Sequence, residues 1–417
     1  MWIFKDSQSI FSSTFSRIIS IVASITAKVR ETTQIDLASL CCFRIIFCIF
    51  TILFGWHSYI WITTVPDAFF NPPVLSLASL LQAFPGHRFF WLLDAAIGLC
   101  TITLLLGLFT RLSTILLLCL VVIGSTFHYS MGKIDHGETL YLCVLLAMCF
   151  QNWGAMFSVD SLLRKSPESD QLGYTEYKRT TDLSFLAILI AFGFFTAGWA
   201  KAFSWADFDL TTSGFLSWFY NGYLNQGRDQ FLAPFVLNIN APLIWELVDI
   251  SAVIFEIGFL FAMLSRRSWY AWLTIACLFH LMIGLLLNIS FEMNAIAYMA
   301  FVPWAQLPIL AHLASGQLSK QLKWPQIALA AFGVFALLSR LRPLQNPSLN
   351  SHALALAGGA DMLEVNCGIW IVTLLIFCFT FKTFINFSGR EYEVLARYPE
   401  RNVSLRRDTA SAGRTPR

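Results

Sequence analysis

Lys201 and Trp205, at the end of a long apolar stretch, are two residues whose types and spacing indicate chemistry. The two residues lie one helical turn apart, so the indole ring is able to cover the amine as a cation–π partner. An amine with an ordinary pKa of about 10.4 is a poor base at neutral pH unless burial lowers that pKa. A desolvated Lys201 is therefore a candidate general base.

Other ionisable residues share the half of the apolar layer that contains Lys201. Asp249 and His280 lie within apolar stretches, where such side chains usually face a protein interior or a cavity. The set is completed by Asp94 in the same half and by Lys133, Asp135 and His136 in a short loop above it. Each residue alone is explained as a satisfied structural group, whereas their convergence favours a functional site. We interpret the pocket of this site as lined by Asp94, Lys133, Asp135, Trp205 and Asp249.

Two further charged residues, Arg44 and Glu256, lie deeper, in the opposite half of the layer. Counting ~1.5 Å of rise per residue places them at similar depths. A buried ion is tolerated when it has a partner, so we predict a structural Arg44–Glu256 ion pair that fixes helix packing. No metal site is predicted, because the ten cysteines show no CxxC pair and no Cys/His ligand spacing.

The stretches that carry these residues predict an all-α, polytopic integral membrane bundle. Of the 417 residues, 57% are hydrophobic and only 13% are charged, about half the charged share of a soluble protein. A spanning helix requires ~20 mostly apolar residues, and the sequence offers about ten candidates. They cover residues 37–57, 89–109, 112–128, 138–157, 183–202, 243–264, 269–288, 292–313, 326–341 and 367–386.

Lys and Arg are concentrated in alternate loops, which predicts that these loops and both termini are cytoplasmic. Residues 1–36 are expected to form an amphipathic segment on the cytoplasmic surface. A helical membrane domain over 37–313 precedes two further spans within 314–387 and a basic cytoplasmic tail at 388–417. The expected partner is the lipid bilayer of the cell membrane. The net charge of +3 is too small to indicate nucleic acid.

Four short stretches also stand in a characteristic order and spacing. They are Leu40-Cys41-Cys42-Phe43-Arg44-Ile45; Leu106-Gly107-Leu108-Phe109-Thr110-Arg111; Lys133-Ile134-Asp135-His136-Gly137 running to Phe157-Ser158-Val159-Asp160; and Phe195-Thr196-Ala197-Gly198-Trp199-Ala200-Lys201. With the residue types from Asp249 to His280, this set resembles the HTTM family, which includes the membrane domain of vitamin K-dependent γ-carboxylase. The resemblance covers roughly residues 37–310.

The resemblance implies a quinol-linked oxidoreductase or a carboxylase-like enzyme. In the carboxylase, the Lys of the segment similar to Ala197–Lys201 deprotonates vitamin K hydroquinone. Oxygen addition then generates a strong base that removes a glutamyl γ-proton, and CO2 is captured. The resemblance therefore implies a vitamin K-like quinol cofactor and Lys201, His280 and His136 as catalytic residues, with His280 orienting the quinol or relaying its proton.

Two other functions stay open, because a fold does not fix a function. One is a non-enzymatic membrane partner on the same scaffold, such as a maturation or immunity subunit. The other is a transporter, for which we expect inverted repeats and a polar path between the two faces. The sequence shows no such repeat, and an intact Lys201/His280 pair favours the enzyme.

Overall fold

The computed structural model of the chain describes residues 2–132, 136–164, 180–307 and 362–386. Its helices are α1 (Trp2–Thr33), α2 (Leu37–Leu53), α3 (His87–Leu106), α4 (Thr110–His128), α5 (Thr139–Met148), α6 (Val159–Leu163), α7 (Ser184–Trp205), α8 (Gly214–Gln226), α9 (Ala233–Val236), α10 (Pro242–Ala262), α11 (Arg266–Leu287), α12 (Glu292–Met299) and α13 (Met362–Asn386). Two short strands, β1 (Gln34–Asp36) and β2 (Thr180–Asp182), pair antiparallel. The helical character agrees with the predicted all-α class.

Within these ranges, five helices are long and apolar enough to cross a membrane, namely α3, α4, α7, α11 and the Leu363–Lys382 part of α13. The apolar helices α2 and α5 are shorter. Helix α10 has 21 residues, but three of them are acidic. These lengths and compositions support a membrane protein. The count of about ten spans and the side of the termini stay predictions, and the candidate span 326–341 and the tail 388–417 lie outside the described residues.

Two predicted spans are interrupted in the structure. The stretch 138–157 is helical only as α5, and the stretch 292–313 begins with the eight residues of α12. A turn and Pro303 follow α12, and proline removes a backbone donor that a continuing helix needs. Irregular backbone at such positions is tolerated where protein covers it, and Trp153 and Trp304 are buried beside these breaks.

The segments that connect the helices gather in two places, here called the junction end and the capped end. At the junction end lie β1, β2, the α3–α4 turn and the segment 149–164. At the capped end, the segments 54–86 and 206–241 cover the starts of helices. Asp94 near the start of α3 binds the first segment, and Asp249 in α10 binds the second.

The carboxylate of Asp160 organises the junction end. It accepts hydrogen bonds from the backbone N–H groups of Phe109 and Thr110 and from the Thr110 hydroxyl, each at 2.8 Å. These N–H groups belong to the first turn of α4, where a carboxylate pairs well with unsatisfied donors. Two of the stretches that carry the family resemblance are therefore in direct contact here.

Arg44 adds a third of those stretches to the junction end. Its guanidinium is fully buried and donates to the backbone carbonyls of Trp153 and Phe157. Gly107 ends α3 with a φ of +68°, and a Cβ at this position would lie 2.3 Å from Arg44 Nη1 and from Ser158 Cβ. Only glycine fits this left-handed, crowded turn.

Candidate functional site

Lys201 and Glu256 form an ion pair inside the bundle. The Lys201 Nζ on α7 lies 2.5 Å from the Glu256 Oε1 on α10. Gly198 permits this approach, because a Cβ there would lie 2.8 Å from the Glu256 Cβ. Glu256 is only 3% exposed, whereas 27% of the Lys201 side chain is accessible. The pair is therefore buried at the carboxylate and open at the amine.

Trp205 covers the amine from the end of α7. The Lys201 Nζ lies 5.0 Å from the centroid of the Trp205 ring, which confirms the predicted cation–π contact. The ring itself packs against Gly214, where a Cβ would lie 2.3 Å from the indole. The start of α8 thus holds the tryptophan in place over the lysine.

Asp249 fixes the start of α8. Its oxygens accept hydrogen bonds from the Ser213 hydroxyl and from the N–H groups of Gly214 and Phe215, at 2.8 to 2.9 Å. A carboxylate at a helix N-terminus satisfies donors that the helix leaves unpaired. The structure therefore makes Asp249 an anchor for the segment that supports Trp205, a role that the pocket interpretation did not include.

The predicted ion pair between Arg44 and Glu256 is wrong. Glu256 pairs with Lys201, and Arg44 binds the backbone carbonyls of the segment 153–157. Similar depth does not bring two helices together: α10 packs on α7, whereas Arg44 on α2 lies against the junction end. The side of a helix that carries a charge decides its partner.

His280 is buried and has a partner for each ring nitrogen. Its Nδ1 lies 2.9 Å from the carbonyl oxygen of Ala276, and its Nε2 lies 3.2 Å from the amide nitrogen of Asn294. A carbonyl only accepts and an amide N–H only donates, so the ring fits as a neutral imidazole with Nδ1 protonated. The ring also stacks on Trp370 at 4.6 Å. In this arrangement neither nitrogen is free to relay a quinol proton.

Of the three predicted loop residues, the structure describes only His136. His136 is exposed at the capped end and stacks on Phe291, with 5.8 Å between the ring centroids. Phe291 in turn meets the His280 ring edge-on at 5.4 Å. Lys133 and Asp135 lie outside the described residues, so their place in a pocket stays a prediction.

Asp94 was expected to line the same pocket, but its oxygens bind the segment that begins at Ser58. They accept hydrogen bonds from the Ser58 hydroxyl and from the N–H groups of Tyr59 and Ile60, at 2.6 to 3.2 Å. Asp94 is 8% exposed. Like Asp249, it anchors a segment of the capped end to a helix of the bundle.

Several buried polar atoms near His280 have no hydrogen-bond partner. Their residues were not among the site residues predicted from the sequence. The atoms are Asn294 Oδ1, Tyr298 Oη, Asn366 Nδ2 and Trp370 Nε1. Polar side chains inside apolar stretches were the available signal for Asn294 and Asn366. In the described part of the chain, His, Cys, Asp and Glu side chains form no group of three or more that fits a metal ion.

No protein-family model, curated protein or solved structure matches the chain. The resemblance to the HTTM family stays a prediction from the sequence motifs.

Proposed function

We propose that the chain is a multi-pass membrane enzyme that binds a quinol of the vitamin K type and accepts its proton at the Lys201–Glu256 pair. One observation carries this proposal. Glu256 Oε1 is paired with Lys201 at 2.5 Å, while Glu256 Oε2 is buried without a hydrogen-bond partner. A buried carboxylate oxygen with unused acceptor capacity is a natural partner for a ligand hydroxyl.

In this proposal Glu256 accepts the proton, whereas the sequence predicts Lys201 as the base. The Lys201 amine already has a partner in Glu256 Oε1 at 2.5 Å, whereas Glu256 Oε2 has none. Glu256 Oε2 therefore takes the proton: the quinol O–H bond breaks, an O–H bond forms on Oε2, and the electron pair stays on the quinol oxygen. The Lys201 ammonium then stabilises the resulting oxyanion by charge and hydrogen bonding.

The surface of α7 supports access from lipid. Phe192, Trp199 and Phe203 on this helix are exposed. Large apolar side chains exposed on a membrane helix suit contact with acyl chains. A quinol with an apolar tail is thus able to approach Lys201 from the bilayer, with its polar ring directed at the pair.

Quinol oxidation by oxygen, measured on purified protein in lipid nanodiscs, tests the proposal. We expect Glu256→Gln and Lys201→Ala each to lower turnover by about a hundredfold, the usual scale for a proton-transfer group. Lys201→Arg should keep part of the activity, because guanidinium still pairs with Glu256 and still donates. The control Lys28→Ala removes the lysine of an exposed Lys28–Glu31 pair and should change nothing.

Two outcomes would contradict this mechanism. Full turnover in Glu256→Gln removes Glu256 as the proton acceptor. An inactive Lys201→Arg, together with rescue of Lys201→Ala by a small exogenous amine, shows instead that Lys201 itself is the base.

We also propose ten spans in the cell membrane, with both termini in the cytoplasm. The excess of Lys and Arg in alternate loops supports this topology. Reporter fusions after Arg179, Arg267 and Lys323 should all give a cytoplasmic signal. A signal from the other side at any of these positions would overturn the topology.

A non-enzymatic membrane partner is the second candidate function. The observation that favours it is that Asp94, Asp249 and His280 all make hydrogen bonds to other groups of the protein. In that case the Lys201–Glu256 pair only braces α7 against α10. Wild-type protein would show no quinol turnover, and Lys201→Ala would lower the melting temperature instead.

A further inference from the structure

His57, just beyond the end of α2, is a buried histidine without a hydrogen-bond partner. It is 5% exposed, and neither of its ring nitrogens makes a hydrogen bond. A neutral imidazole has one N–H donor and one acceptor. Leaving such a group unpaired in a buried place destabilises the folded protein. An uncompensated histidine therefore calls for a chemical explanation.

Glu138 connects this histidine to the capped end. Its Oε1 lies 3.8 Å from His57 Nε2, which is longer than a hydrogen bond. Its Oε2 accepts a hydrogen bond from the Ser125 hydroxyl at 3.0 Å, and 23% of its side chain is accessible. The Tyr141 ring lies against the imidazole, with 4.5 Å between the centroids. One carboxylate thus reaches from a buried imidazole to the accessible surface.

The surrounding structure holds His57 in position. The three residues that follow it, Ser58, Tyr59 and Ile60, all donate to the Asp94 carboxylate. The Tyr59 ring packs directly on Gly124, where a Cβ would lie 2.0 Å from the ring. Asp94 is therefore a positioning residue for the segment that carries the imidazole.

We propose that His57 and Glu138 form a proton-binding site, separate from the Lys201–Glu256 pair, which is filled from the capped end. Glu138 takes a proton from a hydronium ion at the capped end, which leaves water, and passes the proton to His57 Nε2. In this step the carboxyl O–H bond breaks, an N–H bond forms on the imidazole, and the proton is the only species transferred. The products are an imidazolium and a carboxylate, which close the 3.8 Å gap to form a charge-assisted hydrogen bond.

The titratable groups around His57 act in opposite directions. Burial lowers the pKa of His57, and His128 at the end of α4 adds to this effect. The Glu138 carboxylate, at the residue before α5, raises the pKa of His57, as does the backbone of the neighbouring Gly55. Tyr141, on α5, contributes a neutral ring, and Asp94 on α3 is occupied by its three donors. His57 is thus neutral near pH 7, and Glu138 is the group that makes protonation accessible.

Solid-state ¹⁵N spectra of histidine-labelled protein in lipid, recorded from pH 4 to pH 8, test this inference. We expect one imidazole signal, absent in His57→Phe, to titrate below the usual range of histidine. In Glu138→Gln this titration should move to lower pH by about one unit or more, because the attracting charge is lost. Glu31→Gln, which removes an exposed carboxylate, should leave it in place.

An imidazole signal that stays neutral down to pH 4 would overturn the proton-binding site. A titration that is identical in wild type and Glu138→Gln would also overturn it, since Glu138 would then not be coupled to His57. If His57→Phe fails to fold, Glu138→Gln still decides the question, because His57 is present in that variant. None of these outcomes depends on quinol turnover.

Discussion

The junction end and the region toward the capped end both bury polar groups, but the two regions differ in how many hydrogen bonds these groups make. At the junction end, Asp160 accepts three hydrogen bonds. Arg44 directs both terminal nitrogens to carbonyl oxygens, and its buried Nε is left without a partner. Toward the capped end, Glu256 Oε2, both nitrogens of His57 and the Tyr298 hydroxyl have no partner. Groups that hold a fold together are normally paired. The two proposals place a quinol at the unpaired oxygen of Glu256 and a proton at the unpaired imidazole of His57.

Two buried histidines repeat this contrast within one half of the molecule. His280 has a partner at each ring nitrogen, Ala276 and Asn294, and fits a single neutral tautomer. His57 has no hydrogen bond and faces Glu138 at 3.8 Å. The sequence favours His280 as the reactive residue, whereas in the structure His57 is the one of these two histidines whose ring nitrogens have no hydrogen-bond partner.

The largest effect is expected at the junction end, from Gly107→Ala. The new Cβ would collide with Arg44 and Ser158 at a residue whose φ is +68°. We expect the free energy of unfolding to fall by about 3 kcal/mol or more, as for other strained and overpacked sites. Chemical denaturation in detergent measures this loss. Gly193→Ala is the matched control, because nothing lies within 4 Å of its Cβ, and equal losses in both variants would contradict the crowded-turn interpretation.

An intermediate effect is expected in a double-mutant cycle on Glu256. Lys201→Met and Glu256→Gln should show a coupling energy of about 1–3 kcal/mol, because the two side chains share one ion pair. Arg44→Met and Glu256→Gln should add within about 0.5 kcal/mol, since they share no contact. Unfolding free energies of the single and double variants give both numbers. Strong coupling to Arg44 would restore the pair that the sequence suggested.

The smallest effect is expected from Asp160→Asn, about 1 kcal/mol for the loss of a carboxylate at a helix start. Burial acts to raise the pKa of Asp160, but the donors of Thr110 and Phe109 outweigh it and the pKa is lowered. The stabilisation is thus fully present above the unfolded pKa of about 3.9 and disappears as the pH falls through the native pKa. Unfolding measured from pH 7 to pH 2 should show wild type and variant converging in acid, and a gap that persists at pH 2 would contradict this assignment.

Local features of the site were predictable from the sequence, and contacts between helices were not. The spacing of Lys201 and Trp205 by one turn fixes their proximity on a helix. The partner of Glu256 depends on which faces of α7 and α10 pack together, and one sequence does not contain that information. His57 and Glu138 stand at the ends of two predicted spans that are distant in sequence, and nothing in the sequence shows that the two side chains meet.

Ligand-induced stabilisation tests most directly whether a quinol binds at the Lys201–Glu256 pair. Thermal unfolding is compared with and without a vitamin K-type naphthoquinol for wild type, Asp160→Asn and the double variant Lys201→Met/Glu256→Gln. At ligand concentrations near 100 times Kd, wild type and Asp160→Asn should both gain about 2.7 kcal/mol. The double variant should gain nothing, because it lacks the charges that bind the quinol ring. Equal stabilisation of the double variant and wild type would contradict the proposed site.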